Sequence, residues 1–240
     1  MTQVATRETV IPRFDHLELE SEGARFGLEW RDEEFWVELD DPEWGTRPGT
    51  PQRVEREIVQ TTGSHHLQLF WMPLDPTGEN RKLSLFPMVY RIEEQRWIPI
   101  DSAFLMPPGV KQPIGEGRWN TNCIGCHATG GEPRLGPASR TETGLTDFEQ
   151  MDTRVAVFGI ACEACHGPAA EHVGANRDPR RRYQYHRSGA PDPTIANPEQ
   201  LPPRLSAQIC GQCHAVSFPR PEYGDHWRQF GHAYRPGDDL

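Results

Sequence analysis

All six cysteines of this 240-residue chain fall into three copies of one pattern: Cys123-Ile124-Gly125-Cys126-His127, Cys162-Glu163-Ala164-Cys165-His166 and Cys210-Gly211-Gln212-Cys213-His214. With six Cys and ten His, composition alone gives about 0.006 such motifs by chance. The fold must therefore use three thiol pairs, each with an adjoining imidazole. The spacing suits attachment of c-type haem: the two thiols reach the two vinyl groups of one porphyrin, and the following His reaches the iron from the proximal side. Three haem c groups are expected, one on Cys123 and Cys126, one on Cys162 and Cys165, one on Cys210 and Cys213, with His127, His166 and His214 as proximal ligands.

Three rival chemistries use paired cysteines. A zinc ribbon needs two pairs about 15–20 residues apart. Here 35 residues separate Cys126 from Cys162 and 44 separate Cys165 from Cys210, and three pairs leave one over. A thioredoxin-like redox pair needs one motif in a βαβ setting, and a disulfide framework leaves the three adjoining His unexplained. Haem also answers a question raised by the composition. About 42% of the residues are apolar when Gly is counted and Tyr is not, against about 45–50% in ordinary domains. Three porphyrins would supply the missing core, so the region from Trp119 onward is not expected to fold without them.

Each iron has a sixth position. Seven His lie outside the motifs, and four non-terminal Met (Met72, Met88, Met106, Met151) are the thioether alternatives. The surplus of His favours bis-His ligation and hence low potentials, because thioether ligation raises the potential. His172 follows His166 by six residues, too few to fold back easily onto the same iron, so it is expected to address a neighbouring haem. His65 and His66 are adjacent in a strand-like run, so their side chains should point to opposite faces. His232 and His226 lie in an aromatic C-terminal stretch, His186 follows the basic run of Arg180, Arg181 and Arg182, and His16 is the weakest candidate. The order of preference as distal ligands is His172, His66, His65, His232, His226, His186.

The net charge of −10 argues against nucleic acid as a partner. Residues 1–60 carry 15 acids against seven Arg, which reads as a solvated face or as a steering surface for a basic redox partner. Of the 25 basic residues only Lys82 and Lys111 are Lys. Arg is the better bidentate partner for carboxylates such as haem propionates, although biased codon usage explains the preference equally well. The longest run without polar side chains covers residues 155–162, far short of the ~18–20 needed to cross a bilayer.

The expected fold class is α+β with much irregular structure: an N-terminal antiparallel β meander, residues 1–110, packed beside a loop-rich, short-helix haem region, residues 111–240. Residues 24–30 and 34–39 alternate around Arg31-Asp32-Glu33 as a hairpin, and further strands are expected at 53–60, 65–72, 83–92 and 96–100. The aromatic residues Trp30, Phe35, Trp36, Phe70, Trp71, Phe86, Tyr90 and Trp97 are expected mainly in the sheet core. Pro107-Pro108-Gly109 closes the region. Short helices are expected to start at Cys123, Cys162 and Cys210, because a helical turn sets thiols and imidazole on one side. The intervening stretch 187–203 carries five Pro and cannot form long regular elements.

No signal peptide is visible at Met1-Thr2-Gln3-Val4-Ala5-Thr6-Arg7-Glu8, yet haem c is attached on the far side of the bacterial cytoplasmic membrane. A removed or mis-annotated leader, or a longer parent polypeptide, would resolve the tension. The end at Tyr234-Arg235-Pro236-Gly237-Asp238-Asp239-Leu240, without a closing element, favours the last.

Several stretches resemble a known family. Residues 62–71 (Thr-Gly-Ser-His-His-Leu-Gln-Leu-Phe-Trp), Arg96-Trp97-Ile98-Pro99, residues 119–127 and residues 159–168 with His172-Val173 resemble bacterial multihaem c-type cytochromes carrying a cytochrome c-552/4 domain, often fused to tetratricopeptide repeats. The resemblance runs from about Arg53 to Leu240, and Cys162-Glu163-Ala164-Cys165-His166-Gly167-Pro168 is its most specific part. It implies exported electron-transfer proteins with closely stacked, mostly bis-His haems, in which a His placed like His172, and likewise the His65-His66 pair, is an axial ligand. Many relatives carry a further motif before the strand region and others beyond Leu240, and their absence here fits a section of a longer cytochrome.

The expected function is therefore low-potential electron transfer among three haems, in a periplasmic or otherwise exported chain. The expected partners are redox proteins such as other cytochromes, or further haem or repeat domains of the same polypeptide. The alternatives are an oxidoreductase of a small nitrogen or sulfur compound with one open-coordination haem, its chemistry sought near Tyr183, Tyr185 and His186, and a haem-based sensor or a haem-binding module of a larger complex.

Overall fold

The computed structural model describes residues 1–42, 49–103, 119–140, 146–215 and 221–240. Met106, Pro107-Pro108-Gly109 and Lys111 lie outside the described residues.

The N-terminal half begins with strand β1 (Thr2–Val4), then runs through β2 (Leu17–Ser21), β3 (Ala24–Arg31), β4 (Glu34–Asp40) and β5 (Arg53–Ile58). Strands β2 to β5 pair in sequence as a four-stranded antiparallel meander. Both of its first hairpins close with two residues at positive φ, Glu22 (51°) and Gly23 (82°), then Asp32 (53°) and Glu33 (66°). That backbone matches the right-handed twist of the flanking strands, and it gives the hairpin read from residues 24–39 its two-residue turn.

A second sheet follows: β6 (Gln60–Thr62), β7 (Leu67–Pro73), β8 (Leu83–Leu85), β9 (Met88–Arg91) and β10 (Arg96–Pro99), ordered β1-β6-β7-β9-β10 with β8 paired to β7. Three expected strands are corrected here. The run 53–60 breaks at Val59, where the chain leaves the first sheet and enters the second: Val59 donates to the Trp71 carbonyl at 3.0 Å and accepts from Ala5 N–H at 2.9 Å. The run 83–92 is cut at Phe86-Pro87, since proline has no N–H to give a ladder. The run 65–72 begins only at Leu67, so His65 and His66 occupy a bend rather than opposite faces of a strand. The bend is required by Gly63, at φ +99°, where an added Cβ would lie 2.0 Å from the Leu67 carbonyl oxygen.

The two sheets enclose a core of Phe14, Phe26, Leu28, Phe35, Val37, Ile58, Phe70, Met72, Phe86 and Met88, with Trp30, Tyr90 and Trp97 packed against it. Ring centroids lie 5.0 Å apart for Phe14 and Phe35 and 5.1 Å for Phe70 and Trp97. Strand β7 explains why its sequence is apolar almost throughout. Phe70 and Met72 face this core, whereas Leu67, Leu69 and Trp71 face a second cluster on the other side of the sheet.

The second cluster fastens the haem-motif region to the sheets. Ile100 opens the short helix α1 (Ile100–Ala103), and after the gap a π-helical turn, Trp119–Cys123, leads into α2 (Ile124–His127). Trp119, Ile124 and Ala128 pack with Trp71, Leu85, Val89 and Ile100. A hydrogen-bonded chain crosses the same seam: Trp71 Nε1 donates to Thr62 Oγ1 (3.0 Å), Thr62 and Thr2 share a hydroxyl contact (2.9 Å), and Trp119 Nε1 donates to Thr2 Oγ1 (3.4 Å).

Beyond α2 come two ribbons, β11 (Ala128–Glu132) with β14 (Arg154–Phe158), and β12 (Ala138–Arg140) with β13 (Thr146–Phe148). The remaining elements are α3 (Cys162–His166), α4 (Ala170–Ala175), α5 (Pro179–Ser188), α6 (Pro203–His214) and α7 (Gly224–Phe230). The stretch between α5 and α6 holds only a short 3-10 turn, Pro198–Gln200, as its prolines require. The architecture is the expected α+β class, with antiparallel sheets beside short helices and loops.

Candidate haem-binding site

Each motif occupies a helical segment, though not always as expected. The second motif is the whole of α3, starting at Cys162. The first straddles a junction, with Cys123 ending the π turn and Ile124 opening α2. The third forms the last turn of the 12-residue α6, which starts at Pro203 rather than Cys210. Proline at the first helical position needs no hydrogen-bonding N–H, so the helix nucleates there and delivers Cys210, Cys213 and His214 at its end.

The three motifs meet. Ribbon β11–β14 returns the chain from the first motif to the second, where Gly159 N–H donates to the His127 carbonyl at 2.9 Å. Gln212 Nε2 donates to the Ala164 carbonyl at 2.8 Å, tying the third motif to the second, and Cys126 Sγ approaches the Cys213 carbonyl at 3.9 Å, tying it to the first. Burial, and then the neighbouring Cys126 and Cys165 thiols, push the Cys213 thiol up to about 12. No disulfide joins two cysteines among the described residues, and Cys162 and Cys210 are exposed.

Between the motifs lies a cavity of about 580 Å³, lined by Gly125, Ala164 and Cys213 together with His226, Phe230 and His232. Helix α7 reaches it because Leu135 N–H and Gly136 C=O are held by the Arg228 carbonyl (2.8 Å) and guanidinium (3.0 Å). His232 packs close to the first motif: a Cβ at Gly125 would lie 3.2 Å from its ring. Its ring keeps much of its surface open to the cavity, while the protein packed around it depresses the imidazole pKa. Burial depresses the His127 pKa in the same way.

The histidines of the second motif and α4 have defined hydrogen bonds. His166 Nδ1 lies 2.8 Å from the Ala196 carbonyl. A carbonyl only accepts, so Nδ1 carries the proton and Nε2 keeps its lone pair, the arrangement of a metal-ligating imidazole. His172, on α4, has its Nδ1 beside Asp192, Thr194 and Asn176. His65 and His66 are exposed, in the bend whose Gly63 N–H donates to the Met1 carbonyl (3.0 Å). Met1 Sδ in turn accepts from Ile160 N–H (3.2 Å), so the bend lies toward the start of the second motif. His186, Tyr183 and the Arg run lie on α5, which buries none of its residues. His16 is exposed beside Glu29.

Three thioether candidates are corrected. Met72 (1% exposed), Met88 (4%) and Met151 (1%) are packed inside apolar clusters, so they belong to the protein core and not to the motif cavity.

Residues that the sequence did not single out do much of the positioning. Asn120, beside the first motif, is buried with every side-chain atom paired: Nδ2 donates to the Arg81 carbonyl (2.9 Å) and to Thr153 Oγ1 (2.8 Å), and Oδ1 accepts from Leu83 N–H (3.0 Å). Asp192 and Thr194 do the same beside His172. The tripeptide Asp192-Pro193-Thr194 was a readable turn signal.

The residues present fit haem c. Past Phe158, Ile209 is the one buried hydrophobic side chain among the described residues, although helices α3 to α7 all lie there. A helical region past Phe158 with so little apolar core, an open cavity lined by residues of all three motifs and an imidazole set with a free Nε2 suit large apolar groups attached at the motifs.

Comparison with known proteins agrees at the level of class. The family described as cytochrome c554 and c-prime matches residues 109–167, which include the first two motifs. The match covers about a quarter of the chain, and that segment is similar to a family whose members imply covalently bound haem c, electron transfer and export for haem attachment. A search of curated proteins finds no match. A solved structure, the outer cell wall cytochrome OcwA, is similar at 22% identity and a TM-score of 0.39, over 76% of this chain and 32% of that one. This chain thus spans about a third of the length of OcwA. No helix among the described residues is long and apolar enough to cross a membrane.

Proposed function

We propose that the chain is a three-haem electron-transfer unit: a β-rich region, residues 1–110, supports a cytochrome region, residues 111–240. Haem c supplies one-electron iron chemistry. Cys123 and Cys126, Cys162 and Cys165, and Cys210 and Cys213 each hold one group, with His127, His166 and His214 as proximal ligands. The single observation that carries this reading is the meeting of all three motifs around one cavity, two of them in the stretch past Phe158 that buries almost nothing apolar. Motifs brought within hydrogen-bonding reach of one another would keep the three groups close enough for electrons to pass among them.

For the sixth positions, His172 leads on its free Nε2, and His232 and His226 gain weight from lining the cavity. His66 and His65 follow, on the exposed bend, and His186, on the exposed helix, comes last. Imidazole on both sides of the irons sets low potentials. The proposed setting is the periplasm or the cell exterior, and the proposed partners are other cytochromes or further haem or repeat domains of the same polypeptide.

Optical spectroscopy of the exported holoprotein tests the reading. The expected spectrum is low-spin in both oxidation states and unchanged by carbon monoxide. A high-spin band, or a carbon monoxide adduct in the untreated protein, would overturn the electron-wire reading in favour of a ligand-binding or substrate-reducing haem.

A further inference from the structure

One short segment, residues 192–196, holds the imidazoles of both His166 and His172, but by different chemistry. At one end Ala196 and His166 bond reciprocally: Ala196 N–H donates to the His166 carbonyl (3.0 Å), and His166 Nδ1 donates to the Ala196 carbonyl (2.8 Å). At the other end stands a carboxylate. Asp192 Oδ1 accepts from Thr194 Oγ1 (2.6 Å), Thr194 N–H (3.0 Å) and Arg181 Nη2 (2.8 Å). Asp192 Oδ2 accepts from Asn176 Nδ2 (2.9 Å) and lies 3.3 Å from His172 Nδ1.

Counting protons fixes the His172 tautomer. The Asn176 amide has two hydrogens, given to Asp192 Oδ2 (2.9 Å) and the His172 carbonyl (3.0 Å), so its 3.1 Å approach to Nδ1 carries none. Thr194 spends its hydroxyl proton on Asp192 Oδ1, so toward Nδ1, 3.4 Å away, it can only accept. The proton in this cluster therefore sits on His172 Nδ1, shared between Asp192 Oδ2 and Thr194 Oγ1, and Nε2 keeps its lone pair. The carboxylate is well enclosed, its side chain 14% exposed, and Arg181 neutralises Oδ1 rather than the oxygen that faces the ring.

We infer that Asp192 is a positioning residue that holds His172 with Nε2 free and makes its imidazole a more anionic donor than one held by a backbone carbonyl, as His166 is, so that Asp192 lowers the potential of the haem taking His172. The inference rests on His172 being an iron ligand. A carboxylate partner on a ligating imidazole raises its basicity and favours the more positive metal state, whereas the Ala196 carbonyl brings no net charge. The segment would thus lower the potential of one haem from within a single loop.

Redox titration of the holoprotein, with proton NMR of the ferric state, tests it. Asp192→Asn should shift the oxidised-to-reduced ratio of one haem about tenfold toward reduced, roughly 59 mV for a one-electron couple. The same substitution should move the Nδ1 proton resonance of one axial ring while the haems stay low-spin. Arg181→Gln, which leaves the carboxylate less neutralised, should shift the same haem the opposite way. Glu171→Gln, an exposed charge next in sequence to His172, should stay within about twofold of the parent because water screens it.

His172→Ala checks the underlying ligand assignment: one haem should turn high-spin, and a spectrum that stays wholly low-spin overturns that assignment. If His172→Ala gives the high-spin haem but Asp192→Asn and Arg181→Gln leave all potentials in place, the ligand stands and the role of Asp192 is refuted. Should Asp192→Asn fail to assemble, the sign of the Arg181→Gln shift decides: a downward shift supports the role, and no shift or an upward one overturns it.

Discussion

Gly231 shows how single residues place the candidate ligands. It stands one position before His232 at φ +78°, and a Cβ there would lie 2.4 Å from the Gly131 carbonyl oxygen. Gly231→Ala therefore carries both the cost of a side chain at φ +78° and ψ −155°, a region essentially confined to glycine and worth about 1–3 kcal/mol, and a clash with a backbone that cannot yield. The expected outcome is a lower melting temperature and a perturbed haem spectrum, as the segment carrying His232 is pushed off ribbon β11–β14; an unchanged spectrum would remove His232 from the ligand set. Positions of this kind were only half legible in the sequence. The thiols and proximal histidines announce themselves through spacing, because attachment chemistry demands contiguous residues. Asn120 lies 33 to 39 residues from its partners, and Asn176 and Asp192 meet across 16, so their role is decided by hydrogen bonds that only the fold creates.

Among elements, those closed by local chemistry could be read and those closed by distant pairing could not. The hairpin of β3 and β4 follows from alternation around a two-residue turn. Helix α5 was legible too, though unread: Asp178 caps it by accepting from Arg180 N–H at 2.9 Å, Pro179 opens it and Gly189 closes it in the left-handed conformation. By contrast, β1 pairs with β6 across nearly sixty residues, and the strand break at Val59 exists because a second sheet is waiting there. The turn after β7 gives a pH test at this scale. Asp75 accepts from Thr77 Oγ1 (2.7 Å), Thr77 N–H (2.8 Å) and Asn80 N–H (2.8 Å), which hold its carboxyl below the usual range. The turn matters because Asn80 Oδ1 accepts from Met151 N–H at 3.1 Å. A lowered folded pKa means that the contribution of Asp75 is complete above the unfolded value of about 3.9 and is lost as pH falls through the folded value. Hydrogen exchange at the Met151 amide should therefore quicken beyond the intrinsic trend as pH falls below about 4, and Asp75→Asn should abolish that extra dependence.

For the whole molecule, the structure divides by what fills it. The two sheets bury an aromatic core of their own, and the seam of Trp71, Trp119 and Ile124 extends that order as far as the first motif. Past Phe158 the described chain buries almost nothing apolar. Haem-free protein should then show slow amide exchange in β3, β4 and β7 and fast exchange in α3, α4 and α6, with protection of those helices restored in the holoprotein; equal protection in both states would mean the haem region carries its own core. The lean composition of the chain is localised by this division, since the shortage of buried apolar residues falls on the part that carries the second and third motifs.

The central claim is that each motif holds one haem. Intact-mass measurement of the exported chain addresses it directly. Three covalent haem additions are predicted, falling to two in each of three variants in which the paired cysteines of one motif are both replaced by Ser. Any other count in the parent chain, or a motif whose loss leaves the count unchanged, would contradict it.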